Sequence, residues 1–181
     1  MSLLLGIDTS TTATKALLME PSGRVLAVGS TPHPLSTPRP LWSEQDPADW
    51  WTATQQSIRQ ALDSAGVTGD DVAAVGLTGQ MHGLVLLDAS GAVLRPALLW
   101  NDGRAHAECT QVRRAMGGLD ALVAATGNDA YAGFTAPKLL WVRAHEPEVY
   151  AQVAHILLPK DLIRYRLTGT AATDRAGAGG T

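Results

Sequence analysis

The sequence has one cysteine, Cys109, and no apolar run near the ~20 residues that a membrane-spanning helix needs. A single cysteine excludes an intrachain disulfide and a cysteine-rich metal cage, and we expect Cys109 to be a half-buried, inert thiol on a helix. Residues 1–6 also lack the basic start and the cleavage site of a signal peptide. These absences predict a cytoplasmic protein without a membrane anchor.

Positive charge is also in short supply, since 14 lysines and arginines stand against 17 aspartates and glutamates, for a net charge of −3. A nucleic-acid-binding domain usually carries a basic surface, so no nucleic-acid partner is expected. The length of 181 residues is enough for one good core, or for one domain with part of a second.

Near the amino terminus, an apolar segment at residues 3–7 is followed by a carboxylate, hydroxyl groups and a cation. The segment is typical of a buried strand, and Asp8 at its end could face Mg²⁺ or a metal-bound water. Lys15 could reach a transferring phosphoryl group, and phosphate oxygens could be bound by the next four residues, Thr9, Ser10, Thr11 and Thr12. A plain β-hairpin with a hydrogen-bonded turn would use the same residues, and the motif alone leaves both interpretations open.

The hydrophobic pattern predicts an α/β chain in which helices pack on a sheet. Asp46 and Pro47 have the residue types of a helix start, and Gly66 has that of a helix end. The predicted strands are residues 3–7, 15–19, 24–30, 72–77, 84–87, 93–100 and 155–158, the first three forming an antiparallel meander. After the first helix, helices are predicted at residues 104–116, 119–125, 137–144 and 160–167, and a loop at 176–181.

Two further loops carry chemically useful side chains. Residues 79–83 place Met81 and His82 between two glycines, which let a backbone approach a ligand closely. Residues 100–104 combine an aromatic ring with an amide, a carboxylate and a guanidinium, the groups of Trp100, Asn101, Asp102 and Arg104. Such groups suit a polyhydroxylated ligand. A structural His82 and an Asx turn at residues 101–103 are the competing interpretations. The other four tryptophans are expected mainly in the core: Trp42, Trp50, Trp51 and Trp141.

Taken in order, seven segments resemble the carbohydrate kinases of the FGGY family, most closely its xylulokinases. They are residues 6–8 with Thr11, Thr12 and Lys15, then 41–47, 79–83, 99–104, 126–128, 133–141 and 158–161. The resemblance covers nearly the whole chain. It implies an α/β fold of the ribonuclease-H-like type found in actin and hexokinase, in two domains with the active site between them.

The resemblance also implies an ATP- and Mg²⁺-dependent phosphotransferase with an alcohol group as acceptor, here the terminal hydroxyl of D-xylulose. It implies that Asp8 organises Mg²⁺, that Lys15 and the residues from Thr9 to Thr12 lie near the phosphates, and that Met81 and His82 contact the sugar. Four more residues are expected to line the sugar pocket: Trp100, Asn101, Asp102 and Arg104. A homodimer is compatible with the family, although no apolar stripe singles out an interface.

Residues 1–181 are expected to form the amino-terminal domain alone, truncated before its end. The carboxy-terminal domain of such kinases carries the adenine site and the general-base aspartate, so negligible turnover is expected from this fragment. Two positions depart from the family pattern: Ser10 replaces a glycine, and Gly177 stands where an aspartate is common. The alternatives are a kinase for ribulose, fuculose, gluconate or glycerol, or a catalytically silent actin-like binding module.

Overall fold

The computed structural model describes residues 2–179, which divide into two compact units. Unit 1 contains the chain up to Leu35 together with Asp46–Gln80 and Pro159–Thr170. Unit 2 contains Ser36–Gln45, Met81–Leu158 and the residues from Ala171 onward. The chain therefore passes back and forth between the units, so each unit is built from segments that are distant in sequence.

Strands come mainly in the first part of the chain and helices mainly in the second. The strands are β1 (Leu3–Thr9), β2 (Ala13–Met19), β3 (Val25–Pro32), β4 (Glu44–Gln45), β5 (Val72–Gly79), β6 (Val85–Leu87), β7 (Ala97–Leu98) and β8 (His155–Leu157). The helices are α1 (Pro47–Ala65), α2 (His106–Ala115), α3 (Leu119–Thr126), α4 (Thr135–His145), α5 (Pro147–Tyr150), α6 (Pro159–Thr168) and α7 (Arg175–Ala178).

Unit 1 is a mixed four-stranded sheet with helices packed on it. The strand order is β3-β2-β1-β5, with β1 antiparallel to β2 and parallel to β5. Residues alternate between buried and partly exposed along β1, so Leu3, Leu5 and Ile7 all face one side of the sheet. There they form a core with Leu18 of β2 and Ala61 of α1. The predicted mixed sheet with flanking helices is confirmed.

The bounds of α1 follow from local signals. The Asp46 side chain accepts a hydrogen bond from the Ala48 amide at 2.9 Å, and Pro47 occupies the first turn, where its missing N–H costs nothing. Gly66 ends the helix in the left-handed conformation, with φ of 67°. Both predicted ends of this helix are confirmed.

Unit 2 has two small antiparallel ladders, β4 with β7 and β6 with β8, and it is otherwise built from helices and loops. One core cluster joins Leu84, Leu98, Trp141 and Val142. In a second cluster, Cys109 of α2 packs against Leu122 of α3. Burial raises the pKa of the Cys109 thiol, which agrees with the expectation of an inert residue.

Several predicted elements differ from the structure. The strand expected at residues 93–100 is reduced to the two residues of β7, because Pro96 has no N–H to donate to a ladder. The tail expected to be a loop contains the one-turn helix α7, capped by the Asp174 side chain. Residues 180 and 181 of that tail lie outside the described residues. The short elements β4 and α5 were not predicted.

None of the helices formed by residues 2–179 combines the length and the apolar character that a bilayer crossing requires.

At Gly29 on β3, α1 approaches the sheet too closely to leave room for a side chain. A Cβ atom at this position would lie 2.0 Å from the Ser57 carbonyl oxygen and 2.9 Å from Gln60 Cβ. We expect Gly29→Ala to lower the free energy of unfolding in urea by roughly 1–3 kcal/mol, because α1 must shift to admit the methyl group. Gly76 on β5 is the matched control, since a Cβ there meets nothing within 4 Å. Equal losses in the two variants would contradict this account of the packing.

Candidate functional site

Asp8 and Lys15 lie side by side on the face of the unit 1 sheet opposite the core. Asp8 on β1 pairs in register with Lys15 on β2 and with Thr78 on β5. Both charged residues line a shallow, largely apolar groove on this face, together with Gly6 and Leu17. A carboxylate, an ammonium group and a hydroxyl therefore occupy one line across three strands, one residue before β1 ends.

The turn after β1 is tight and internally hydrogen-bonded. The Ser10 hydroxyl donates to the Ala13 carbonyl at 2.8 Å, and the Ser10 amide donates to the same oxygen at 3.1 Å. The Thr9 side chain is fully buried, whereas Thr11 is half-buried and Thr12 is exposed. Thr12 is therefore the most exposed hydroxyl-bearing residue of the turn, and Thr11 is the next.

The end of β5 is tied to the same turn. The Gln80 amide donates to the Thr9 carbonyl at 2.9 Å, and the Thr11 hydroxyl lies 3.3 Å from Gln80 Oε1. A Cβ at Gly79 would lie only 2.9 Å from the Thr9 oxygen and 3.6 Å from Lys160 Cβ, so a glycine is needed for this approach. Gln80 and Lys160 are neighbours of the turn to which the sequence interpretation gave no role.

In unit 2, His82 adopts a strained backbone conformation on a partly exposed loop. Its φ of 57° is in the left-handed region, which residues with a side chain seldom adopt. The imidazole packs against the Phe134 ring at an interplanar angle of 35° and a centroid distance of 4.5 Å, and the Thr135 hydroxyl donates to the His82 carbonyl at 3.2 Å. The preceding residue, Met81, is 60% exposed. Contacts from the start of α4 therefore fix the His82 loop while Met81 remains accessible.

Asp102 is engaged within its own loop. Its carboxylate accepts from the Ser43 amide at 2.7 Å, from the Arg104 amide at 3.0 Å, and from Nε and Nη2 of Arg104 at 2.9 and 2.8 Å. The bond to the amide two residues ahead is the expected Asx turn. Trp100 and Asn101 just before it are exposed, Trp100 by 44%. The loop thus exposes an aromatic ring and an amide next to the buried ion pair of Asp102 and Arg104.

Further ion pairs, together called the ion-pair ladder, surround the pair of Asp102 and Arg104. Glu44 accepts from Arg104 at 2.7 Å and from Arg95 at 2.8 Å, and Arg95 lies 2.8 Å from Glu146. The Arg104 guanidinium is 3.6 Å from the centroid of the Trp42 ring. Sequence reasoning missed Glu44, Arg95 and Glu146, since nothing local signals pairing across some fifty residues.

Comparisons with known proteins decide the family. The sequence model of the FGGY family of carbohydrate kinases, N-terminal domain, matches residues 3–181. This chain belongs to that family. It is 47% identical over 177 residues to the xylulose kinase of Escherichia coli K12, and 41% identical over 181 residues to that of Bacillus subtilis 168. These matches cover 98% and 100% of this chain, but 36% of each relative.

Solved structures of other sugar kinases share the fold. The xylulose kinase from Rhodospirillum rubrum superimposes with a TM-score of 0.91 at 35% identity, over 98% of this chain and 36% of that one. A gluconate kinase from Lactobacillus acidophilus gives 0.88 at 30% identity, over 99% and 36%. These scores confirm the predicted α/β fold of the actin and hexokinase type. The chain spans about a third of the length of the relatives that it matches.

The ion-pair ladder yields a test of what holds the Trp100 loop. We expect Glu44→Gln to lower the free energy of unfolding by roughly 3 kcal/mol, because two buried guanidinium groups lose their shared carboxylate. Urea denaturation measures the loss. The control is Glu20→Gln, which removes an exposed ion pair with Arg24 and should change stability little. A Glu44 variant as stable as the control would show that the ladder does not hold the loop.

Proposed function

We propose that this chain is the amino-terminal part of a xylulose kinase, which transfers the γ-phosphoryl group of ATP to the terminal hydroxyl of D-xylulose and forms D-xylulose 5-phosphate. The 47% identity to the Escherichia coli xylulose kinase across 98% of the chain carries the proposal. The side chains on the exposed loops are chemically consistent with it, since they offer an apolar surface together with donors and acceptors.

In this proposal, unit 1 serves the phosphates. Asp8 is half-buried on an open sheet face, and an oxygen ligand of this kind suits Mg²⁺. Mg²⁺ is commonly held by one or two carboxylates together with water and substrate phosphates, so Asp8 can serve as its single protein ligand. Mg²⁺ would neutralise charge on the phosphate oxygens. Lys15, the register partner of Asp8, would hold a transferring phosphoryl oxygen.

The turn after β1 would contribute hydroxyl groups to the same phosphates. Thr12 is exposed, and Thr11 is half-buried with its hydroxyl 3.3 Å from Gln80 Oε1, whereas the Thr9 side chain is buried and the Ser10 hydroxyl is engaged within the turn. We therefore assign phosphate contacts to Thr11 and Thr12 and a supporting role to the other two. Ser10 keeps its turn closed through its own side chain, which gives this departure from the family pattern a physical role.

Unit 2 would bind the sugar. Met81, His82, Trp100 and Asn101 lie on partly or fully exposed loops and would contact the ketose directly. The carboxylate of Asp102 already accepts four hydrogen bonds, and the Arg104 side chain is 1% exposed. We therefore assign Asp102 and Arg104 to holding the loop rather than to contacting the sugar. Arg104 already balances the charge of the Asp102 carboxylate, so a bound sugar is not required for that.

The matched relatives are nearly three times as long as this chain, so the proposed reaction belongs to a longer protein. We place the adenine site and the general base outside residues 1–181, and we expect this chain alone to bind sugar but to turn over negligibly. Proton removal from the sugar hydroxyl would be the missing step, because no residue of the proposed sugar surface is a free carboxylate. A homodimer and a cytoplasmic location remain predictions.

A gluconate kinase is the second candidate, because one such structure matches this fold with a TM-score of 0.88. The two sugars differ in charge: gluconate carries a carboxylate, whereas D-xylulose is neutral. The proposed sugar surface offers no unpaired arginine, since Arg104 is committed to Asp102 and Glu44. This favours the neutral ketose. Titration with D-xylulose, D-ribulose, D-gluconate and glycerol separates the candidates.

The sugar role of His82 can be measured directly. We expect His82→Ala to raise the Kd of D-xylulose by about ten-fold in calorimetric titration, as loss of one hydrogen bond to a polar ligand implies. His145→Ala is the matched control, because that exposed histidine stacks on Trp141 and is outside the proposed sugar surface. Unchanged affinity in the His82 variant would remove this residue from the site, and tighter binding of D-gluconate than of D-xylulose would overturn the substrate.

A further inference from the structure

Lys138 on α4 is fully buried, which is rare for a lysine. Its ammonium group donates three hydrogen bonds to backbone carbonyls: to His82 at 2.6 Å, to Leu98 at 3.0 Å and to Leu99 at 2.8 Å. An ammonium has three N–H groups, so its donors are all used. Two of the acceptors directly precede Trp100, and the third is His82 itself. One side chain therefore bridges the two loops of the proposed sugar surface.

None of the three carbonyls depends on Lys138 alone. The His82 oxygen also accepts from the Thr135 hydroxyl at 3.2 Å, the Leu98 oxygen from the Leu84 amide at 2.8 Å, and the Leu99 oxygen from the Asp102 amide at 3.2 Å. Removing the ammonium would leave each carbonyl with a donor. Hydrogen-bond satisfaction is thus not what the lysine uniquely supplies. The two segments are also joined by the backbone bridge between Leu84 and Leu98. What Lys138 adds is a tie beyond that bridge, from α4 to the carbonyls of His82 and Leu99 at once.

We infer that Lys138 is a positioning residue, which fixes the His82 loop against the Trp100 loop so that their exposed side chains form one sugar-binding surface. The inference rests on the proposed function for its ligand, but the link itself is independent of the ligand. The strained backbone of His82 explains why a link is needed, since a left-handed residue relaxes unless its surroundings hold it.

The charge state of Lys138 provides a second handle on the same link. Burial lowers the pKa of Lys138 to about 7; the nearby Asp102 carboxylate raises it in part, and Arg104 lowers it further. The neutral amine has two N–H groups rather than three, so one carbonyl loses its bond as the pH rises through 7. His82 and Arg104 are the other basic groups of this region, and Arg104 keeps its charge throughout that range.

Fold stability and loop order should then respond to pH in opposite directions. The pKa is near 7 in the folded chain and near 10.5 in the unfolded one, so the unfolded chain binds more protons between those values. The contribution of Lys138 to the free energy of unfolding therefore rises with pH in this window. Sugar affinity should fall in the same window, because the link weakens. A merely structural lysine would give the first response without the second.

The test replaces Lys138 with methionine, which is similar in length but has no donor, in the whole 181-residue chain. Arg143→Met is the matched control, because this exposed arginine is on the same helix. Hydrogen–deuterium exchange is followed in peptides covering residues 79–84 and 97–103, and D-xylulose affinity by calorimetry. We expect exchange in both loops to rise at least ten-fold and the Kd to rise at least ten-fold in Lys138→Met, with neither change in the control.

Unchanged exchange in a folded Lys138→Met variant, or faster exchange in only one loop, would overturn the inference. If the wild-type chain binds no D-xylulose while both loops still loosen, the link stands and the proposed substrate fails. Faster exchange in both loops with unchanged D-xylulose affinity would overturn the positioning role. Should Lys138→Met fail to fold, the wild-type chain decides: exchange in both loops, corrected for the intrinsic pH effect, must increase between pH 6 and pH 9, and its constancy would overturn the inference.

Discussion

Buried charge is the constraint on which the loops of unit 2 depend. An ionised group taken out of water costs several kcal/mol unless it finds partners, and that cost allows few arrangements of its surroundings. Asp102 and Glu44 pair with Arg104 in the interior, and Lys138 directs its charge at backbone oxygens. Each pairing fixes a loop that has little regular secondary structure. The buried charges therefore fix the positions of these loops, as backbone hydrogen bonds fix the strands of a sheet.

Unit 1 solves the same positioning problem with regular structure. Asp8 and Lys15 owe their alignment to the register of β1 and β2, and the turn that follows is closed by Ser10. A one-residue slip of either strand would send these side chains to the core face, where burial of their charges opposes it. The proposed phosphate groups thus sit on a ladder, whereas the proposed sugar contacts sit on loops. Loops accommodate a change of substrate more readily than strands do.

Local signals made part of the fold predictable. Asp46, Pro47 and Gly66 fix α1 because capping depends on neighbours in sequence, and the alternation along β1 fixes its buried face. The strand predicted at residues 93–100 failed because Pro96 interrupts the ladder there, an effect that the apolar pattern of the segment obscured. Glu44, Arg95 and Lys138 could not be found from sequence, since each acts on partners that only the tertiary fold brings near.

Sequence alone did not separate the exposed members of the candidate site from the buried ones. The sequence placed six residues of unit 2 in one sugar-facing group, including Asp102 and Arg104. Hydrogen bonding separates that group, because Asp102 spends its acceptors on Ser43 and Arg104 while Trp100 remains exposed. A buried ion pair adds little to stability when compared with apolar residues of the same volume. Its contribution here is geometric: the pair holds an exposed ring and amide in place while its own side chains stay buried.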